Sequence, residues 1–251
     1  MNMPKILEVC CYGLESALKA ERAGADRIEL CSAPREGGLT PSYAALCLAR
    51  ERLSIPVFPI VRPRGGDFCY RDADMDVMER DLTFIRQAGF KGAVFGVLDE
   101  RGAVDVPRME RLLKQCDGME VTFHRAFDMC RSPFDALKAL EDLGIKRILT
   151  SGQQSTAQRG LELLEKLHHA SRGPVIMAGC GVRTANLAAF LAIGLNELHS
   201  SAGMRIASAM QYRNPDVCMS HASNDEYLID TVSEAAVREM KAIMRNFIQA
   251  G

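Results

Sequence analysis

Two short segments of this 251-residue chain carry the same pair of reactive groups. Glu8-x-Cys10 and Glu29-x-Cys31 each set a carboxylate two residues before a thiol. In an extended strand that spacing puts both side chains on one face. If the face is inward, two carboxylates lie inside the fold with two thiols nearer its edge. An unpaired buried carboxylate is costly, so each glutamate needs a cation, a proton or a metal. Candidate partners come from three other segments: Arg62 with Arg64, His124 with Arg125, and His199. A network of Glu, Arg and His that merely fills the interior is the plain account. His or Arg at three separate strand ends favours a ligand or catalytic site, with Glu8, Glu29, His124 and His199 as its titratable groups. His124 is the preferred general acid or base, because an unperturbed imidazole titrates nearest neutrality.

Glycine-rich turns add a second kind of chemistry. Thr150-Ser151-Gly152-Gln153, Ala178-Gly179-Cys180-Gly181 and Ser200-Ser201-Ala202-Gly203 each follow an apolar run. Backbone amides in such turns grip anions, and guanidinium groups suit carboxylate or phosphate. The expected anion-binding set is Arg62, Arg64, Arg125, Ser151, Gly152, Gly179, Gly181 and Ser200. A metal is expected in one of two ways. Glu8, Glu29, His124 and His199 would suit a borderline divalent ion, whereas Cys10, Cys31 and Cys180 would offer soft thiolates for copper(I). No lysine ends a strand, which argues against Schiff-base chemistry. Neither GxSxG nor HExxH occurs.

The elements that position these residues follow from the hydrophobic rhythm. Strands are predicted near Ile6–Cys11, Arg27–Cys31, Val57–Val61, Ala93–Leu98, Glu120–His124, Arg147–Thr150, Val175–Ala178 and Glu197–His199. Helical patterns separate them. Thr40-Pro41 and Ser132-Pro133 read as N-caps with proline at the first helical position, and Asp72 and Ser155 as further caps. Gly24, Gly89 and Gly144 fall where helices end. Val237, Met240, Met244 and Phe247 form one stripe on a final helix. The fold class is α/β, a closed parallel (β/α)8 barrel forming one domain over residues 1–251. An open doubly wound sheet is the alternative, but no GxGxxG follows the first strand. The strand ends then share the C-terminal face, where barrels of this kind do their work. Residues 200–233 break the rhythm and read as an irregular arm before the final helix.

Composition bounds the partners. Lys and Arg total 31 against 32 Asp and Glu, so no electrostatic case exists for nucleic acid or a membrane surface. No basic-then-apolar leader opens the sequence, and no apolar run reaches membrane-spanning length. The nine cysteines lack CxxC spacing and read as reduced thiols in a cytoplasmic protein.

Several of these segments resemble a known family. Ile28-Glu29-Leu30-Cys31 with Glu36-Gly37-Gly38-Leu39-Thr40-Pro41-Ser42 is similar to the CutC family, as is Val61-Arg62-Pro63-Arg64-Gly65-Gly66-Asp67-Phe68. Val121-Thr122-Phe123-His124-Arg125-Ala126-Phe127-Asp128, Ile148-Leu149-Thr150-Ser151-Gly152 and Glu197-Leu198-His199-Ser200 extend the likeness from early strand to last. The resemblance implies a TIM barrel, a cytoplasmic homodimer and a role in copper homeostasis with copper(I) binding. Cys31 carries over as the metal ligand, and Cys10 joins it by the strand-parity reasoning above. The alternative function is a barrel enzyme of unidentified reaction on a small anionic substrate, phosphorylated ones included.

Overall fold

The computed structural model describes residues 4–214, 216–217 and 226–247. Its strands are β1 (Ile6–Tyr12), β2 (Arg27–Cys31), β3 (Val57–Pro59), β4 (Gly92–Phe95), β5 (Glu120–Phe123), β6 (Arg147–Thr150), β7 (Val175–Ala178) and β8 (Glu197–Ser200). The sheet runs β3-β2-β1-β8-β7-β6-β5-β4, with every strand pair parallel. An isolated parallel bridge from Ile60 to Val94 joins its two ends. Around it stand α1 (Leu14–Arg22), α2 (Tyr43–Arg52), α3 (Asp72–Gln87), α4 (Val106–Leu113), α5 (Pro133–Asp142), α6 (Leu161–Ala170), α7 (Leu187–Ala192) and α8 (Glu234–Asn246). The expected (β/α)8 barrel is the fold.

Strand alternation sorts the buried residues into two layers. Leu7, Val9 and Cys11 of β1, with Ile28 and Leu30 of β2, pack outward into the large core shared with the helices. Cys10, Cys31, Phe58, Ile60 and Val94 form a separate inner cluster. Glu8 and Glu29 share strand parity with Cys10 and Cys31, and both are buried. Barrel interiors are usually filled by branched aliphatic side chains. Here the floor is ionic instead. Arg27 bonds Glu8 and Glu197, while Arg147 reaches Glu197 at 2.6 Å and Glu120 at 2.9 Å. Phe58 lies beneath both guanidinium groups, at 5.3 and 5.6 Å.

The helix ends show which local signals prevailed. Ser132 and Pro133 begin α5 as expected, and Gly24, Gly89 and Gly144 take positive φ just past α1, α3 and α5. Ser42, rather than Thr40, caps α2 by accepting from Ala45 N–H. The Thr40 hydroxyl is diverted to the backbone of Arg62. Asp72 is the first residue of α3 with Arg71 as its N-cap, and α6 begins after Gly160, well beyond Ser155. The apolar stripe of α8 holds: Val237, Met240 and Met244 are buried. The stretch after β8 corrects the expectation of an irregular arm. It contains β9 (Gly203–Ala207) and β10 (Leu228–Val232), paired antiparallel as a separate two-stranded sheet. Cys218, Met219 and His221 of that stretch lie outside the described residues.

Candidate functional site at the barrel mouth

The parallel register sets Cys10 beside Glu29, and Tyr12 beside Cys31. β8 lies on the other side of β1, pairing Glu8 with His199. Three neighbouring strands thus deliver a thiol–imidazole–carboxylate cluster to one place. Cys10 Sγ lies 3.8 Å from Cys31 Sγ, and Cys31 Sγ 3.5 Å from Glu29 Oε2. His199 Nδ1 stands 2.8 Å from Glu8 Oε1, and its Nε2 3.7 Å from Glu29 Oε2. One ligand atom each from Cys10, Glu29 and His199 all lie within 4.8 Å of one another.

The electrostatics of this cluster follow from those neighbours. Burial opposes charge on Glu8, yet the Arg27 guanidinium and His199 hold it well below the usual carboxylate range. Burial likewise opposes the His199 cation, but the hydrogen bond with Cys10 and the charges of Glu29 and Glu8 raise its pKa well above the ordinary value. The contact with Cys31 outweighs burial and pulls the Cys10 thiol down, with help from His199. Burial, reinforced by Cys10, pushes Glu29 up. Cys31 is raised by burial and by its bond to Cys10. Opposite charges favoured on Glu8, His199 and Cys10, beside Glu29 and Cys31 whose ionisation burial opposes, let five ionisable groups share a dry space.

These groups open into a cavity of about 390 Å³ whose lining includes Cys10, Glu29, Arg62, His124, Arg125 and His199. Gly181 and Ser200 also line it. Glu8 does not; it sits beneath, tying His199 to Arg27. Four expected anion ligands are engaged elsewhere. Arg64 turns to Asp67 and Asp74 and lies over Tyr70. The Ser151 hydroxyl donates to the Gln154 carbonyl at 2.6 Å. Gly152 makes a close approach to Gly160, where a Cβ would fall 2.3 Å from the Gly160 oxygen. Gly179 N–H bonds the Thr150 carbonyl, and its missing Cβ leaves room for His199.

The turn after β6 is an anion nest already filled from within. Asp128 accepts from Thr150 Oγ1, Ser151 N–H and Gln153 N–H at 2.5, 2.9 and 3.2 Å. Arg125 then pairs with the same carboxylate at 2.8 Å. His124 also departs from expectation. Burial, with Arg62 nearby, pushes its pKa down to about 3, so it is neutral near pH 7 and unsuited to proton exchange there. Its Nδ1 accepts from Ala126 N–H at 3.3 Å, which leaves the proton on Nε2.

Sequence reasoning missed Arg27, Arg147 and Glu197 on the floor, and Phe68, Asp128 and Arg183 at the mouth. Arg27 stands two residues before Glu29, so the parity that found Cys31 would also have found it. Arg183 follows the glycine turn after β7 and donates to the Val182 carbonyl at 3.0 Å.

The fold and this cluster define a parallel (β/α)8 barrel with a thiol-rich polar mouth. The CutC family model matches residues 5–204, and the chain belongs to that family. A protein of Edwardsiella ictaluri described as a family protein CutC is 56% identical over 239 residues, 95% of each chain. One of the same description from Klebsiella pneumoniae is 55% identical over 240 residues, covering 95% of this chain and 97% of its own. A solved Streptococcus agalactiae chain, described as a candidate copper homeostasis protein CutC, aligns with a TM-score of 0.75 at 29% identity. It covers 78% of this chain and 98% of its own. The 3-hexulose-6-phosphate synthase of Salmonella typhimurium shares the fold alone, at 12% identity and a TM-score of 0.62, over 96% of this chain and 98% of its own.

Proposed function

We propose that this chain binds copper(I) at the barrel mouth and serves copper homeostasis in the cytoplasm. The observation that carries the reading is the pair Cys10 Sγ and Cys31 Sγ, 3.8 Å apart, with the His199 imidazole beside Cys10. Two thiolates and an imidazole suit a soft monovalent ion. Glu8 holds Nδ1 of His199 and so turns Nε2 toward the thiols, the supporting role that outer carboxylates play for metal-binding histidines. Cys31 and the Nε2 of His199 each give up a proton on binding, so affinity rises with pH. The eight described cysteines are free thiols, which supports a reducing compartment. No described helix is long and apolar enough to cross a membrane. The expected homodimer finds support in the β9–β10 sheet, where Met204, Ile206 and Ile229 are exposed.

The test is an anaerobic copper(I) titration against a competing chelator. Wild type is expected to bind one equivalent, and the Cys10→Ser, Cys31→Ser double variant to lose at least about 100-fold, some 2.8 kcal/mol. Equal affinity in both proteins would overturn the reading.

A further inference from the structure

Across the mouth from the thiols, the β3 and β5 ends hold a second set of groups whose valences are unfilled. His124 is 4% exposed, and its Nε2 has no hydrogen-bond partner. With Nδ1 committed to Ala126 N–H, the free ring nitrogen is a donor on the side away from that backbone. A buried N–H left unpaired is destabilising, so its persistence at a cavity wall points to a ligand acceptor.

Arg62 supplies the matching charge. It is 5% exposed, and three backbone carbonyls hold it: Glu36, Gly38 at 3.1 Å and Gly66 at 2.8 Å. Among the described residues no carboxylate pairs with it, unlike Arg27, Arg125 and Arg147. Its Nε is unpaired too, as is the hydroxyl of the neighbouring Tyr70, which does not line the cavity. Phe68 joins the two sides. Its ring centroid is 4.8 Å from that of His124 and 5.0 Å from the Arg62 guanidinium carbon. Half-buried, it lines the cavity together with both.

The same surroundings narrow the ligand. In barrels of this kind phosphate is held by several loop amides. Here Asp128 takes those of Ser151 and Gln153, the Thr150 carbonyl takes that of Gly179, and Ser200 Oγ takes that of Ala202. On the β3–β5 side what remains is the Arg62 cation and one neutral N–H donor, a match for a two-oxygen anion of single charge. Arg183, the other cavity guanidinium without a carboxylate, follows β7 and bonds the Val182 carbonyl and Ser200 Oγ. Ile60, Phe68, Met129 and Leu149 give the cavity apolar wall on which a short carbon chain can rest. We infer that Arg62 and His124 form a binding site for the carboxylate of a small organic acid with a short apolar body, separate from the copper ligands.

Calorimetric titration of the full chain in reducing buffer tests this, with pyruvate and L-lactate as probes and inorganic phosphate at matched ionic strength as control. Saturable binding of an acid, tighter than that of phosphate, is expected. His124→Asn keeps an acceptor for Ala126 N–H but deletes the Nε2 donor, and is expected to weaken acid binding about tenfold or more. His124→Gln restores a donor near that position and is expected to recover part of the loss. Wild-type affinity in His124→Asn, tighter binding of phosphate, or no binding of either acid would each overturn the assignment. Should the variants fail to fold, the wild-type imidazole signals decide the matter. Pyruvate must shift those of His124 while leaving the surface pair His168 and His169 in place, and an unmoved His124 signal overturns the site.

Discussion

The two histidines at the mouth meet opposite partners at the same ring atom. His199, on the β1–β2–β8 side, presents Nδ1 to the Glu8 carboxylate at 2.8 Å. His124, on the β3–β5 side, presents Nδ1 to a backbone N–H at 3.3 Å. An acceptor at Nδ1 favours the cation, and a donor there requires a bare nitrogen. Burial disfavours charge at both, yet one imidazole is held protonated and the other neutral. Burial and the Arg62 cation decide the matter at His124, whereas at His199 the bond with Cys10 and the Glu29 and Glu8 carboxylates overcome burial. The thiol side is a chain of opposite charges suited to exchanging protons for a metal. The arginine side is a fixed array of donors suited to an anion.

The contrast is broken most severely by removing Glu8, which serves both Arg27 and His199 with no solvent access. Glu8→Gln leaves a buried arginine and an imidazolium short of their counter-charge. The expected cost is about 3–5 kcal/mol in denaturant unfolding, and a loss under about 1 kcal/mol would mean that the floor network is slack. On the other side, Asp128→Asn removes the charge shared by Arg125 and the turn after β6. It is expected to cost about 1.5–3 kcal/mol, the range for hydrogen bonds to a charged group. No measurable change would show that the turn holds its shape alone.

A smaller effect is expected at Gly179. A Cβ there would sit 2.4 Å from Leu149 Cδ1 and 3.3 Å from His199 Cδ2. Gly179→Ala should cost about 1–3 kcal/mol through overpacking, and it should weaken copper(I) binding by displacing His199 while acid binding at His124 stays unchanged. Loss of both would show that the two halves are one site.

The pH dependence sharpens the comparison further, because the two signs are opposite. The His124 pKa falls from 6.5 to about 3 on folding, so its contribution is full above 6.5 and is lost as pH falls toward 3. That of His199 rises on folding, so its contribution is present below 6.5 and is lost as pH climbs through the raised value. Imidazole signals followed from pH 5 to 8 should show His124 neutral throughout and His199 with no midpoint at its ordinary value. A midpoint near 6.5 for either would remove the distinction.

Much of this arrangement is legible in the chain. All eight barrel strands fall where apolar runs predict them, because strands buried on both faces need continuous hydrophobic sequence. The Glu-x-Cys parity is legible for the same reason, since a period of two leaves no choice of face. The β9–β10 sheet is not, because its residues are largely exposed and burial imposes no pattern on them. Nor could the sequence tell Arg62 from Arg64, two residues apart, one turned to carbonyls at the mouth and the other to Asp67 and Asp74. The neutral state of His124 comes from full burial beside Arg62, an environment that only the folded mouth supplies.

Copper K-edge absorption spectroscopy on anaerobically loaded protein tests the copper assignment most directly. Sulfur scattering from Cys10 and Cys31 with an imidazole contribution from His199 is expected, the imidazole signal being lost in His199→Phe and retained in His124→Asn. A spectrum without sulfur, or one whose imidazole signal vanishes with His124 instead, would contradict it.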